Sequence, residues 1–126
     1  IRAVSDTVNA FNASRNIVLM GQAGDRSDKD IGDFVRAICQ LNPQPLQICD
    51  LPGYERGRET GVVPELIRQV AMDAGVDQTN INMFKCPVDG VSHALANARA
   101  GDCLVLLALT QRDGVLEMVK SFVADN

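Results

Sequence analysis

Short apolar runs, each bounded by turn residues and followed by hydrophobics at helical spacing, leave few folds open to this chain. The runs are Ile17–Met20, Leu46–Cys49, Ile81–Phe84 and "CLVLLALT" at residues 103–110. After the first, Ser27 or Asp28 can cap a helix whose inward stripe is Ile31, Phe34, Val35 and Ile38, ended by Asn42-Pro43-Gln44-Pro45. After the second, Pro64 suits the first turn of a helix carrying Leu66, Ile67, Val70 and Ala71 inward and stopping near Gly75. Val91, Ala94, Leu95 and Ala98 mark the next helix, closed by Gly101. Val115, Met118, Val119, Phe122 and Val123 mark the last. A further amphipathic helix over residues 1–13, with Ile1, Val4, Val8 and Phe11 on one side, precedes the first run.

Strands alternating with helices predict a three-layer α/β fold: a mostly parallel, Rossmann-like sheet of at least four strands with helices on both faces. The 103–110 run is the most apolar and is expected to be a central strand buried on both faces. Ile81–Phe84, interrupted by Asn82, is expected to be more exposed. At 126 residues the chain fits one domain, 1–126. It opens on Ile1-Arg2-Ala3 without an initiator Met, which suggests a fragment of a larger chain.

Composition removes several functions. A net charge of −4 with no Lys/Arg cluster argues against a nucleic-acid partner, and no apolar run is long enough for a membrane span. Cys39, Cys49, Cys86 and Cys103 are irregularly spaced and His93 does not complete a zinc site with them. They read as buried, reduced cysteines of a cytoplasmic protein. His93 has no acid or thiol at a useful offset and reads as a partly exposed helix residue. No catalytic residue and no metal ligand set stands out.

The chemistry-bearing residues fall in the loops after the first two strands, where open α/β sheets bind ligands. "GQAGDR" is neither a P-loop nor a dinucleotide fingerprint. Gly21 and Gly24 fit any tight strand-to-helix turn. The same turn can also be an anion site, with helix N–H groups and the Arg26 charge facing a nucleotide or phosphate. Asp25 caps the turn or orients Arg26. In "DLPGYERGRETG", Arg56 and Arg58 flank Gly57 and suit carboxylate or phosphate recognition. Alternatively Glu55 and Glu59 neutralise them in a solvated loop. Asp50 closes the strand before this loop.

Together, "IRAVSDTVNAF", a strand running into "GQAGDR", an Asp-x-Pro loop with arginines, and "GDCLVLL" before the last helix resemble the C-terminal domain of the Mur ligase superfamily. "YERGRETGVVPELI" is similar to the R-G-R-x-x-G element of its cyanophycin synthetase branch. The resemblance spans essentially the whole chain. It implies the closing domain of an ATP-dependent amide ligase, which phosphorylates a carboxylate and lets an incoming amino acid attack the acyl phosphate. ATP and Mg would be bound mainly by a central ATPase domain of the same chain, absent from these residues. Gly21, Gly24, Asp25 and Arg26 would face the nucleotide, and Asp50, Arg56 and Arg58 the amino-acid substrate. The family's Asp-x-x-His segment before the first helix is missing. "LALTQRDG" stands where muramyl-peptide ligases have a G-K-G-H-E-like sequence, which favours the cyanophycin-like branch. The other reading is a non-catalytic α/β module that binds or senses a small anion.

Overall fold

In the computed structural model, which describes residues 2–107 and 110–125, α1 (Arg2–Ala10) leads into β1 (Arg15–Met20), α2 (Asp28–Cys39) and β2 (Pro43–Cys49). There follow α3 (Val62–Asp73), β3 (Ile81–Phe84), α4 (Pro87–Ala96), β4 (Asp102–Leu107) and α5 (Arg112–Asp125). The strands form one all-parallel sheet in the order β3-β2-β1-β4. This is the expected three-layer, Rossmann-like arrangement. One face is covered by α1, α2 and α3, through Val8, Ile31, Val35, Ile38, Val63 and Ile67. The other is covered by α4 and α5, through Val91 and Val115.

β1 and β2 lie at the centre, and the two-residue period of a strand explains their composition. Val18, Met20, Leu46 and Ile48 point into the larger core, while Leu19 and Cys49 point under α4. Burial pushes the Cys49 thiol up to about 12, which disfavours its thiolate. All the cysteines are free; Cys39, Cys86 and Cys103 are only partly buried.

Several elements differ from expectation for identifiable reasons. The 103–110 run is not a central strand. β4 pairs with β1 alone, at the sheet's edge, and only its Val105 is buried. The chain order is the cause: after β3 it returns across the sheet and adds β4 outside β1. Residues 108 and 109 of that run lie outside the described residues. β2 begins at Pro43 rather than Leu46, because the pairing with β1 shifts register between Asn16 and Val18 and so tolerates a residue without an N–H.

α1 ends at Ala10, not residue 13. Asn12 adopts φ 48° and turns the chain, which leaves Phe11 69% exposed. Ile1, placed in that stripe from sequence, lies outside the described residues. α4 stops at Ala96 with Asn97 as its cap, and Gly101, at φ 89°, turns the following loop rather than ending the helix. On α5, Met118 and Val119 pack inward but Val123 is 68% exposed and belongs to neither core cluster. No helix among the described residues is long and apolar enough to cross a membrane.

Candidate functional site

The loops after β1 and β2 leave the carboxyl ends of adjacent strands, and their backbones are in contact. A Cβ on Gly21 would lie 2.6 Å from the carbonyl oxygen of Cys49, and one on Gly24 would lie 1.9 Å from that of Glu55. Close approach of the end of β2 and of the second loop accounts for both glycines. The Gly24 N–H donates to the Tyr54 carbonyl at 2.9 Å across the junction.

Arg58 fastens the two loops. Its Nε donates to the Gly24 carbonyl at 2.9 Å and its Nη2 to the Arg26 carbonyl at 2.8 Å. Its Nη1 lies 2.7 Å from Asp28 Oδ1. A planar guanidinium can meet three acceptors in fixed directions, which an ammonium cannot. Neither Glu55 nor Glu59 neutralises it. Glu55 Oε1 instead accepts from the Gly53 N–H at 2.7 Å, holding its own turn. Asp50 closes the second loop at both ends, accepting from the N–H of Leu51 at 3.0 Å and of Gly61 at 3.1 Å.

What remains outward is Asp25, Arg26 and Arg56, all exposed. Arg26 makes no side-chain hydrogen bond or ion pair among the described residues. Arg56, at φ 53°, carries its guanidinium 4.8 Å from the centre of the Tyr54 ring, a cation–π contact that leaves its donors available. The start of α2 is less suited to an anion than the sequence suggests. Ser27 Oγ already accepts from the Asp30 N–H at 3.1 Å, and Asp28 and Asp30 place negative charge in the first turn. Attraction for an anion on this rim therefore comes from Arg26 and Arg56.

The structure thus brings together every residue singled out from sequence and divides them by task. Gly21, Gly24, Asp50 and Arg58 hold the loops, while Asp25, Arg26 and Arg56 face outward. Two further groups follow β4 in the chain, and β4 flanks the point, between β1 and β4, where strand order reverses and such sheets usually bind ligands. Thr110 Oγ1 is buried without a hydrogen-bond partner among the described residues. Gln111 Oε1 accepts from the Val88 N–H at 3.0 Å, tying the loop after β4 to the start of α4. Neither carries a sequence signal; Tyr54, two positions before Arg56, is a further contributor whose only signal in the sequence is that proximity. Among the described residues no group of three or more His, Cys, Asp or Glu side chains can hold a metal ion. Compared with protein-family models and with curated proteins, the chain matches none.

Proposed function

We propose that this chain is the closing domain of a cytoplasmic ATP-dependent acid–amino-acid ligase of the cyanophycin synthetase-like kind. The observation that carries the reading is the single rim made by two interlocked loops, with Arg26 and Arg56 turned outward and Arg58 fastening them from within. In this reading ATP and Mg, held by a central domain, activate the acceptor carboxylate as an acyl phosphate. The rim closes over that domain: Arg26 faces the nucleotide side and Arg56 the carboxylate of the incoming amino acid. Guanidinium groups suit both tasks, since each presents paired donors to a planar carboxylate or a phosphate. Closure also keeps water from an acyl phosphate that hydrolysis would waste. Arg58 is then a positioning residue, because its donors are already taken within the rim.

The test uses the complete gene product. Amino-acid-dependent release of ADP is expected, together with a P-loop domain encoded upstream of Ile1. Arg26→Ala and Arg56→Ala should each raise a Michaelis constant by about tenfold or more, the loss of one charge-assisted hydrogen bond, with melting temperature unchanged. The 126-residue chain alone should turn over no ATP. Unchanged Michaelis constants for every substrate, or the lack of a P-loop domain, would refute the proposal. Saturable anion binding by a gene product without that domain would instead identify the non-catalytic anion-binding module.

A further inference from the structure

The opposite end of the sheet, where the strands begin, holds a second polar arrangement unrelated to the arginine loops. Its root is Gln47, in the middle of β2 on the face under α4 and with no exposed surface. Burying a primary amide without partners is costly, and this one is fully bonded. Its Oε1 accepts from Asn82 Nδ2 at 2.8 Å, on β3. Its Nε2 donates to the Gly90 carbonyl at 3.4 Å and lies 3.0 Å from His93 Nδ1, both on α4.

These partners fix a tautomer. A backbone carbonyl only accepts, so the Gly90 oxygen sets which end of the Gln47 amide carries nitrogen. Both protons of that nitrogen are then donated, and His93 Nδ1 must be an acceptor. The ring therefore carries its proton on Nε2, the nitrogen that Gln47 does not engage. Phe84 holds the ring plane, with centroids 5.3 Å apart and the planes tilted by 50°. An apolar residue at position 47 would fill the space as well; the amide instead orients two side chains, His93 and Asn82, from beneath.

Both side chains line an open cavity of about 440 Å³, together with Arg15, Arg99, Asn97 and Thr79. That volume lies in the range of small-molecule sites. No acidic side chain lines it. Arg15 is already neutralised, with Nε 2.8 Å from Asp102 Oδ1 and Nη2 2.9 Å from Oδ2, and it also donates to the Asn97 carbonyl. Arg99 differs. Its backbone N–H donates to Asp102 Oδ2 at 2.7 Å, while its guanidinium makes no hydrogen bond or ion pair among the described residues. The cavity thus has two guanidinium groups, Arg15 and Arg99, against the one carboxylate of Asp102, a net positive charge, beside an oriented neutral donor.

The geometry points to a binding site for one small oxyanion group, a carboxylate or a phosphate, held by the Arg99 guanidinium and His93 Nε2–H, with Gln47 as the positioning residue. Arg99 supplies the charge-assisted bond. His93, a lining residue of the cavity, supplies direction, because its proton is kept on the nitrogen that Gln47 leaves without a bond. The site lies at the far end of the strands from Arg26 and Arg56, so its fate and that of the ligase reading are separate.

The experiment is a nitrogen-15 NMR titration of the 126-residue chain with sodium phosphate and, separately, sodium acetate, at ionic strength held constant with sodium chloride. Before ligand, the His93 ring nitrogens should report the Nε2–H tautomer. On titration the His93 ring and Arg99 Nε signals should move together and saturate. Saturation by phosphate alone names a phosphorylated ligand, and saturation by acetate alone a carboxylate. Arg99→Ala should weaken binding at least tenfold with the melting temperature unchanged. Gln47→Met should mix the tautomers and weaken binding. If that variant fails to fold, His93→Ala, an exposed position, should weaken binding in its place. No saturable response to either anion, an equal response to chloride, or undiminished binding by Arg99→Ala would overturn the proposal.

Discussion

Removing the Arg58 side chain should loosen the rim as a unit, and the contacts allow the loss to be sized. The bond to the Gly24 carbonyl matters most, because Gly24 is buried and water does not readily replace the donor. A hydrogen bond from a charged donor is worth about 1.5 kcal/mol or somewhat more. The bond to the Arg26 carbonyl is exposed and contributes about 1 kcal/mol. The Asp28 pair adds under about 1 kcal/mol, since the Asp28 side chain is 71% exposed and that of Arg58 23%. Arg58→Ala should therefore cost about 3 kcal/mol, a fall in melting temperature of roughly 10 °C for a domain of this size. Asp28→Asn should cost under about 1 kcal/mol. Arg58→Lys should recover little of the loss, because one ammonium cannot serve both carbonyls and the carboxylate. Urea unfolding of the three variants checks the order. Hydrogen exchange at the Gly24 amide, bonded to the Tyr54 carbonyl, should lose protection in Arg58→Ala well below the global unfolding transition. An Arg58→Ala loss under about 1 kcal/mol, or an Asp28→Asn loss as large as that of Arg58→Ala, would refute the clamp.

Gly24→Ala should be at least as damaging, about 3 kcal/mol by thermal unfolding, because its Cβ would meet the Glu55 carbonyl carbon and oxygen at 2.8 and 1.9 Å. Gly57→Ala meets nothing and has only its φ of 89° against it, so about 1 kcal/mol is expected there. Equal losses at the two positions would remove the argument from loop contact. Asp102 supplies a pH test: its hydrogen bond with Arg15 holds its carboxyl below the usual carboxylate range. The stability this gives is fully present above the unfolded value of about 3.9 and is lost as pH falls through the lowered native value. Asp102→Asn should thus unfold at lower urea than the parent at pH 7, and the gap should close as pH is lowered from about 4 toward 2. A gap independent of pH would sink that assignment.

Much of the fold was legible because a parallel sheet covered on both faces demands unbroken apolar strands joined by amphipathic helices, and both patterns survive in a single sequence. Apolarity alone does not order the strands. Residues 103–110 form a longer apolar run than Ile17–Met20, yet β4 lies at the edge and β1 at the centre, because position follows from which neighbours the crossovers deliver. Helix ends were legible where a residue type marks them, as at Ser27, at Pro64 in the first turn of α3 and at Gly75 just past its end. At Asn12 and Asn97 the turn is a matter of backbone conformation, and the periodicity runs past it.

The two arginines flanking Gly57 show where local reading of a site stops. By composition Arg56 and Arg58 are equivalent: the same charge, the same loop and the same glycine between them. What separates them is a partner more than thirty positions away, the Gly24 carbonyl, and no spacing rule connects residue 58 to residue 24. The same holds for Gln47, a polar residue within the Leu46–Cys49 run whose partners Asn82, Gly90 and His93 are brought around it only by β3 and α4. In both cases a residue that reads as functional or out of place is consumed in orienting others, and the groups left outward are its neighbours. Buried or bonded polar side chains are therefore a guide to the site one step removed: Arg58 directs attention to Arg26 and Arg56, and Gln47 to His93 and Arg99. If the rim and the amino-terminal cavity both bind anions, each does so through a guanidinium whose donors the fold leaves unbonded, not through the one it has paired.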